Sequence, residues 1–183
     1  MSVRNQNPEQ IARDKIDKML IDAGWLVQSK NEVNLSAGIG IALRETNTDS
    51  GSADYILFVN SKPVGVIEAK KEDLGFKLLQ VEEQSVRYSK DAIKIGTFTL
   101  ETEKPFVYES TGTVTRFTDY RDPKPRGRNV FWFHKPETIA EWIKKGPSLK
   151  ERLLSMPTLD PTGLRPAQIV AVENLETSFK NNR

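Results

Sequence analysis

Residues 53–70 read ADYILFVNSKPVGVIEAK, and no other stretch restricts the fold as tightly. Two runs rich in β-branched and aromatic residues flank Asn60-Ser61-Lys62, which predicts two strands, about 53–59 and 64–70, joined by a tight turn. Pro63 falls at the start of the second strand, where a missing N–H is tolerated. Val64, Val66 and Ile67 put apolar side chains on both faces, so the hairpin belongs inside a covered sheet. The same stretch carries Asp54, Glu68 and Lys70. Buried charge is costly unless it is paired, hydrogen-bonded or metal-bound. The fold must supply such a partner.

The register supplies a reason for these charges. If Ser61 is the centre of the turn, Asp54 lies directly opposite Glu68. Opposed side chains project from one face with Cβ atoms roughly 4.5–5.5 Å apart. Lys70, two residues beyond Glu68, shares that face. A slip of one residue would turn Asp54 to the other side. Two carboxylates this close repel each other, and a hard divalent cation such as Mg²⁺ turns the repulsion into a site. An ammonium beside them positions or deprotonates a water, or meets negative charge developing on phosphorus. Asp followed by Glu-x-Lys on the next strand is the chemistry of metal-dependent phosphodiester hydrolysis. The plainer alternative is a surface hairpin carrying ordinary ion pairs.

Around the hairpin, NPEQIARDKIDKMLIDAGW predicts a first helix, capped by Asn7, with Pro8 at its first position and Gly24 as its stop. Its apolar stripe is Ile11, Ile16, Met19, Leu20 and Ala23. WLVQ is a short candidate strand, SAGIGIALRE is a polar stretch, and TNTDSGS is a loop by composition. A second helix should begin near residue 74. IGTFTL, KPFVYEST and TVTRFTDY are further strands, and RDPKPRGR is a Pro/Gly/Arg loop that introduces VFWFH. ETIAEWIKKG and SLKERLLS are short helices, and LRPAQIVAVENLETSFKNNR is an amphipathic one. The expected fold class is α/β, a mixed sheet flanked by helices. Residues 1–146 form the main domain, and 147–183 a linker and the opening of something else.

Composition excludes several chemistries. The chain has no cysteine, so disulfides, thiolate zinc sites and a cysteine nucleophile are out. One histidine, His134, cannot furnish a His-based metal nuclease, and a structural role is expected of it. A formal charge of +2 leaves any nucleic-acid argument to local clusters. Lys71, Arg87, Lys90 and Lys94 flank the carboxylates, with the last three at helical spacing if the second helix extends so far. Arg121, Lys124, Arg126 and Arg128 form a basic loop. Phe131, Trp132 and Phe133 are consecutive, so core packing is the first reading and base stacking the second. With no apolar leader and no run of membrane-spanning length, a cytoplasmic setting is expected.

GSADYILFVNSKPVGVIEAKKE, followed by LLQVEEQSVRYSK, PFVYESTGTVTRFTDYRDPKPRGRNVFWFHKPETIA and LRPAQIVAVENLETSF, resembles the N-terminal nuclease domain of the R (restriction, motor) subunit of type I restriction enzymes. That domain belongs to the PD-(D/E)xK nuclease superfamily. The resemblance implies a restriction-endonuclease-like fold that cleaves double-stranded DNA. It implies Mg²⁺ on Asp54, Glu68 and the backbone carbonyl of Ala69, with Lys70 serving the attacking water. It makes Gln84 and Tyr88 a Q-x-x-x-Y motif on one helical face, and Glu9 a supplementary acid. Ser-Ala-Asp stands where the superfamily name has Pro-Asp. LRPAQ resembles the opening of a helicase motor, in which Gln168 would contact the adenine of ATP. The phosphate-binding loop is absent, so ATP use is expected of the full-length subunit only. Partners implied are the specificity and methyltransferase subunits of the same complex. A docking module with latent cleavage is the rival from another class.

Overall fold

In a computed structural model, the structure describes residues 8–70, 90–95, 98–100 and 103–181. The chain opens with helix α1 (Pro8–Asp22), followed by strands β1 (Leu26–Ser29), β2 (Gly40–Thr48), β3 (Gly51–Val59) and β4 (Lys62–Ala69). Next come β5 (Ile93–Ile95), β6 (Phe98–Leu100), β7 (Phe106–Ser110), β8 (Thr115–Asp119) and β9 (Arg128–Val130). Helices α2 (Pro136–Lys145), α3 (Leu149–Leu154) and α4 (Pro166–Asn181) close it. Among the described residues the strands make one mixed sheet in the order β6-β5-β2-β3-β4-β7-β8-β9, with β1 also pairing with β2. The β1·β2 and β4·β7 pairs are parallel and the rest antiparallel. This is the expected α/β class.

Helix α1 buries Ala12, Ile16 and Leu20 against one face of the sheet, with Ala23 buried just after its end, while Ile11, expected in its stripe, is exposed. Its end is fixed by Gly24 at φ 92°, a left-handed conformation open to glycine. Helix α2 brings Ile139 and Trp142 onto the same core, where Trp142 packs on Phe106 and Phe117. The Arg121 side chain anchors the C-terminal end of α2 by donating to the carbonyls of Trp142 (2.9 Å) and Gly146 (3.0 Å), a favourable place for a cation. A second apolar cluster, with Ile41, Leu43, Ile56, Phe58, Val66 and Ile93, covers the other face. The central strands are therefore apolar on both sides.

Several sequence expectations need correction. TNTDSGS is not a loop: β2 runs to Thr48, β3 begins at Gly51, and only two residues turn between them. The threonines enter the strand because their hydroxyls find acceptors. Thr46 donates to the Leu43 carbonyl and Thr48 to the Gly51 carbonyl, and Thr48 also reaches the Asp91 carboxylate. SAGIGIALRE supplies the start of that same central strand. IGTFTL is not one strand; it contributes the end of β5 and all of β6, which pair with each other. Lys94 lies on β5, so the second helix does not extend to it. The helix expected from residue 74 lies, up to residue 89, outside the described residues.

Candidate active site

The β3–β4 hairpin turns on two residues, not three. Asn60 and Ser61 both adopt left-handed φ, 48° and 63°, as a two-residue hairpin turn requires, and Val59 pairs with Lys62. Left alone, that turn would carry Asp54 out of step with Glu68. A bulge restores the phase: Phe58 faces Pro63, Leu57 faces Gly65, and Val64 is the extra residue between them. Beyond the bulge, Ile56 faces Val66 and Tyr55 faces Ile67, so the next rank sets Asp54 against Glu68. The sequence reading reached the right pairing through the wrong turn.

Asp54 is held from two sides. Its Oδ1 accepts from Arg13 Nε (3.0 Å) and Nη2 (2.5 Å), and its Oδ2 accepts from the Ala69 backbone N–H (2.9 Å). Arg13 projects from α1, whose backbone at that residue is tied down by the Tyr55 hydroxyl donating to the Arg13 carbonyl (3.2 Å). The same hydroxyl donates to Asp17 (2.9 Å), which also holds Arg44. Across β2, the register runs Arg44 to Tyr55 and Thr46 to Ala53, and the residue between, Glu45, has φ 49°. A non-glycine residue in that region is strained, and such strain tends to persist at working sites. Glu45 reaches the other side of the Arg13 guanidinium at 3.5 Å.

Glu68 is 6% exposed. Its Oε1 accepts from Lys70 Nζ at 3.2 Å, while its buried Oε2 has no hydrogen-bond partner among the described residues. Burial pushes the carboxyl up to about 7, the Asp54 charge adds to the rise, and Lys70 and Arg13 oppose it. The next strand places Glu109, also buried, beside Glu68 in the register of β7. Among the described residues no set of three or more His, Asp or Glu side chains is placed to hold a metal ion by itself.

The structure thus brings Asp54, Glu68, Lys70 and the Ala69 backbone to one end of the β3–β4 pair. Gln84, Tyr88, Lys71 and Arg87 lie outside the described residues, as does the side chain of Glu9. Lys90 is exposed, and Lys94 pairs with Asp49 at 2.8 Å. Gln168 sits in the first turn of α4, where its side-chain oxygen accepts from the Arg165 backbone N–H (2.9 Å) as a helix cap. Sequence reasoning missed Arg13, Glu45 and Glu109. Only Glu109 left a trace, as a lone acid inside the apolar run FVYES.

A polar cavity of about 140 Å³ opens beside Asp54, between Arg13, Asp17, Arg44 and Tyr55. A larger one, about 650 Å³, lies far across the sheet under Phe117, Arg121, Trp142 and Phe179. Size does not favour the larger one as the reaction site. Its Asp119 is already held by Arg121 at 2.7 Å, whereas Glu68 keeps a buried oxygen unmatched.

Residues 28–143 match the family model of the type I restriction enzyme EcoKI endonuclease subunit second domain. The chain is 27% identical, over 93% of its length, to the type I restriction enzyme EcoKI endonuclease subunit of Escherichia coli (strain K12), and spans 19% of that protein. Its fold is similar to a fragment assigned as an HsdR subunit of a type I restriction enzyme from Vibrio vulnificus YJ016. That likeness has a TM-score of 0.50 and 18% identity, covering 96% of this chain and 33% of the other. With the family model matched over more than half of its residues, the chain belongs to the family of the EcoKI endonuclease subunit second domain.

Proposed function

We propose that the chain is an Mg²⁺-dependent DNA endonuclease domain of a type I restriction enzyme R subunit, hydrolysing phosphodiester bonds of double-stranded DNA. The observation that carries this reading is Glu68 Oε2, a buried carboxylate oxygen without a partner, set against a second carboxylate. A divalent cation satisfies such a pair where a proton or a lone ammonium does so incompletely. Asp54, Glu68 and the Ala69 carbonyl would hold the ion. An ion of this class polarises a phosphate oxygen and lowers the pKa of water.

The remaining roles belong to the chain itself. Lys70, drawn to Glu68, presents an ammonium where negative charge develops on the phosphate and where an attacking water would be oriented. Arg13 and the Ala69 N–H fix the orientation of the Asp54 carboxylate. Motor domains that use ATP, with specificity and methyltransferase subunits in the cytoplasm, are the expected setting of the full-length subunit. Contact of Gln168 with adenine is part of the same proposal.

The test is nicking of supercoiled plasmid with Mg²⁺ and with EDTA, comparing wild type with Asp54→Ala and Lys70→Ala. The expected result is metal-dependent nicking that falls about 100-fold or more in each variant. If the isolated chain is silent, the same variants are assayed in the full ATP-driven assembly. Normal cleavage by Asp54→Ala there overturns the proposal and leaves a docking module.

A further inference from the structure

The aromatic triplet after β9 divides sharply. Phe133 is 3% exposed and packs on Tyr108 at 5.2 Å between ring centroids, whereas Phe131 is 94% and Trp132 63% exposed. Full burial of one large aromatic side chain is worth about 2–3 kcal/mol, so two left in solvent side by side forgo a substantial gain. The stretch of chain that carries them is largely basic. From residue 123 to residue 136 the chain carries Lys124, Arg126, Arg128 and Lys135 and no acid, and all four cations are exposed. Asp122, just before them, is buried.

The sheet fixes where this patch lies. Ala69 pairs with Ser110, Ser110 with Thr115, and Thr115 with Val130, a single rank across β4, β7, β8 and β9. Phe131 and Trp132 follow Val130 directly, so they leave the sheet at the same end as Glu68 and Lys70. Three strand spacings of 4.7–4.9 Å separate them, roughly 14 Å. That is about four nucleotide rises of 3.4 Å. Strand β9 is the edge of the sheet among the described residues, so nothing in the described sheet lies beyond it.

We propose that Phe131 and Trp132 form a stacking platform for unpaired bases of a DNA strand about four nucleotides from the hydrolysed bond, with Lys124, Arg126 and Arg128 meeting its phosphates. The proposal rests on the endonuclease reading above. Aromatic faces inside a basic rim fit single-stranded nucleic acid, whose bases stack without regard to sequence and whose backbone is anionic. Arg128 is steadied for this by its guanidinium over the Phe117 ring, 5.5 Å from the centroid. The platform reads no base identity, in keeping with a domain whose target is chosen elsewhere.

Trp132 provides its own probe. Trp25 is 2% exposed and donates to the His134 carbonyl, and Trp142 is partly buried, so a quench of tryptophan emission by stacking reports on Trp132. The 183-residue chain is titrated in EDTA with a twelve-nucleotide single strand and with the same sequence fully paired. The single strand is expected to quench emission and the blunt duplex to do so far less. Trp132→Ala should abolish the quench and weaken single-strand binding about tenfold or more, and Phe131→Ala should weaken it similarly with the quench retained. Arg126→Gln should reduce the slope of log single-strand affinity against log salt by about 0.7. Absent single-strand binding, unchanged affinity in both aromatic variants, or equal quenching by duplex each overturns the proposal. The second of these means that protein covers the pair instead. EDTA removes cleavage, so failure here leaves the plasmid test standing, and failure there leaves a quench standing.

Discussion

His134 is enclosed by the rings of Tyr108, Phe117 and Trp142, and its Nδ1 meets the Tyr108 hydroxyl at 2.6 Å. A neutral imidazole accepts that proton; an imidazolium cannot. Burial, aided by the Arg128 charge and opposed by Asp119, pulls its pKa down to about 4. The folded state therefore resists a proton that the unfolded chain takes up near 6.5. Stability from this source should be constant above about pH 6.5, fall as pH drops toward 4, and level off below. From His134 alone a loss of about 1–2 kcal/mol between pH 7 and pH 5 is expected, opposed over the same interval by Glu68, whose raised pKa favours the folded state as pH falls. Urea unfolding of wild type and His134→Gln at the two pH values checks it: the stability of wild type relative to the variant should fall by that amount from pH 7 to pH 5. A structural role for this residue was legible because a single histidine has no second ligand to work with. Arg13 was not legible at all. In ARDKID it looks like any solvated helix cation, and only the placement of α1 over β3 puts it on Asp54.

Among the elements, β4 positions the site and has little room to move. It runs between β3 and β7, and a Cβ added at Gly65 would lie 2.5 Å from the Phe106 carbonyl oxygen on β7. That neighbour is backbone and cannot swing away. Gly65→Ala should push β4 from β7, lower stability by about 1–3 kcal/mol in urea unfolding, and slow any cleavage, since Glu68 lies three residues on. An unchanged urea midpoint would show that the strands part without cost. The hairpin was legible because its apolar runs and turn residues agree. The β2 strand was not, because its second half, RETNT, is polar and becomes a strand through acceptors such as Asp91 that lie far along the chain. Side-chain hydrogen bonds of that range leave no local pattern.

For the whole molecule, burial is concentrated in the sheet and its two nearest helices. Strand β3 is buried from Tyr55 to Val59, whereas α3 and α4 contain no buried residue. The tail is held by polar contacts such as Lys150 Nζ donating to the carbonyls of Phe179 and Lys180 at the end of α4. Amide hydrogen exchange should divide accordingly. Amides of β3 and β4 should exchange only with global unfolding, and those of α4 roughly a thousandfold faster or more. Equal protection would mean that α4 belongs to the same cooperative unit. The expected boundary near 146 rests on Gly146 and Pro147, where the helical pattern stops. The site's position at one sheet end was not, since it depends on the parallel pairing of β4 with β7.

The bulge at Val64 gives a two-residue turn the phase of a three-residue one, with the same number of residues between Asp54 and Glu68. A three-residue turn without a bulge and a two-residue turn with one bring the same carboxylates face to face. Length changes in this hairpin are therefore neutral when they come in compensating pairs and ruinous when they come singly. The conserved quantity to look for in such hairpins is strand phase. A residue count between the acid and the Glu-x-Lys is the same in both forms and does not tell which turn produces the phase.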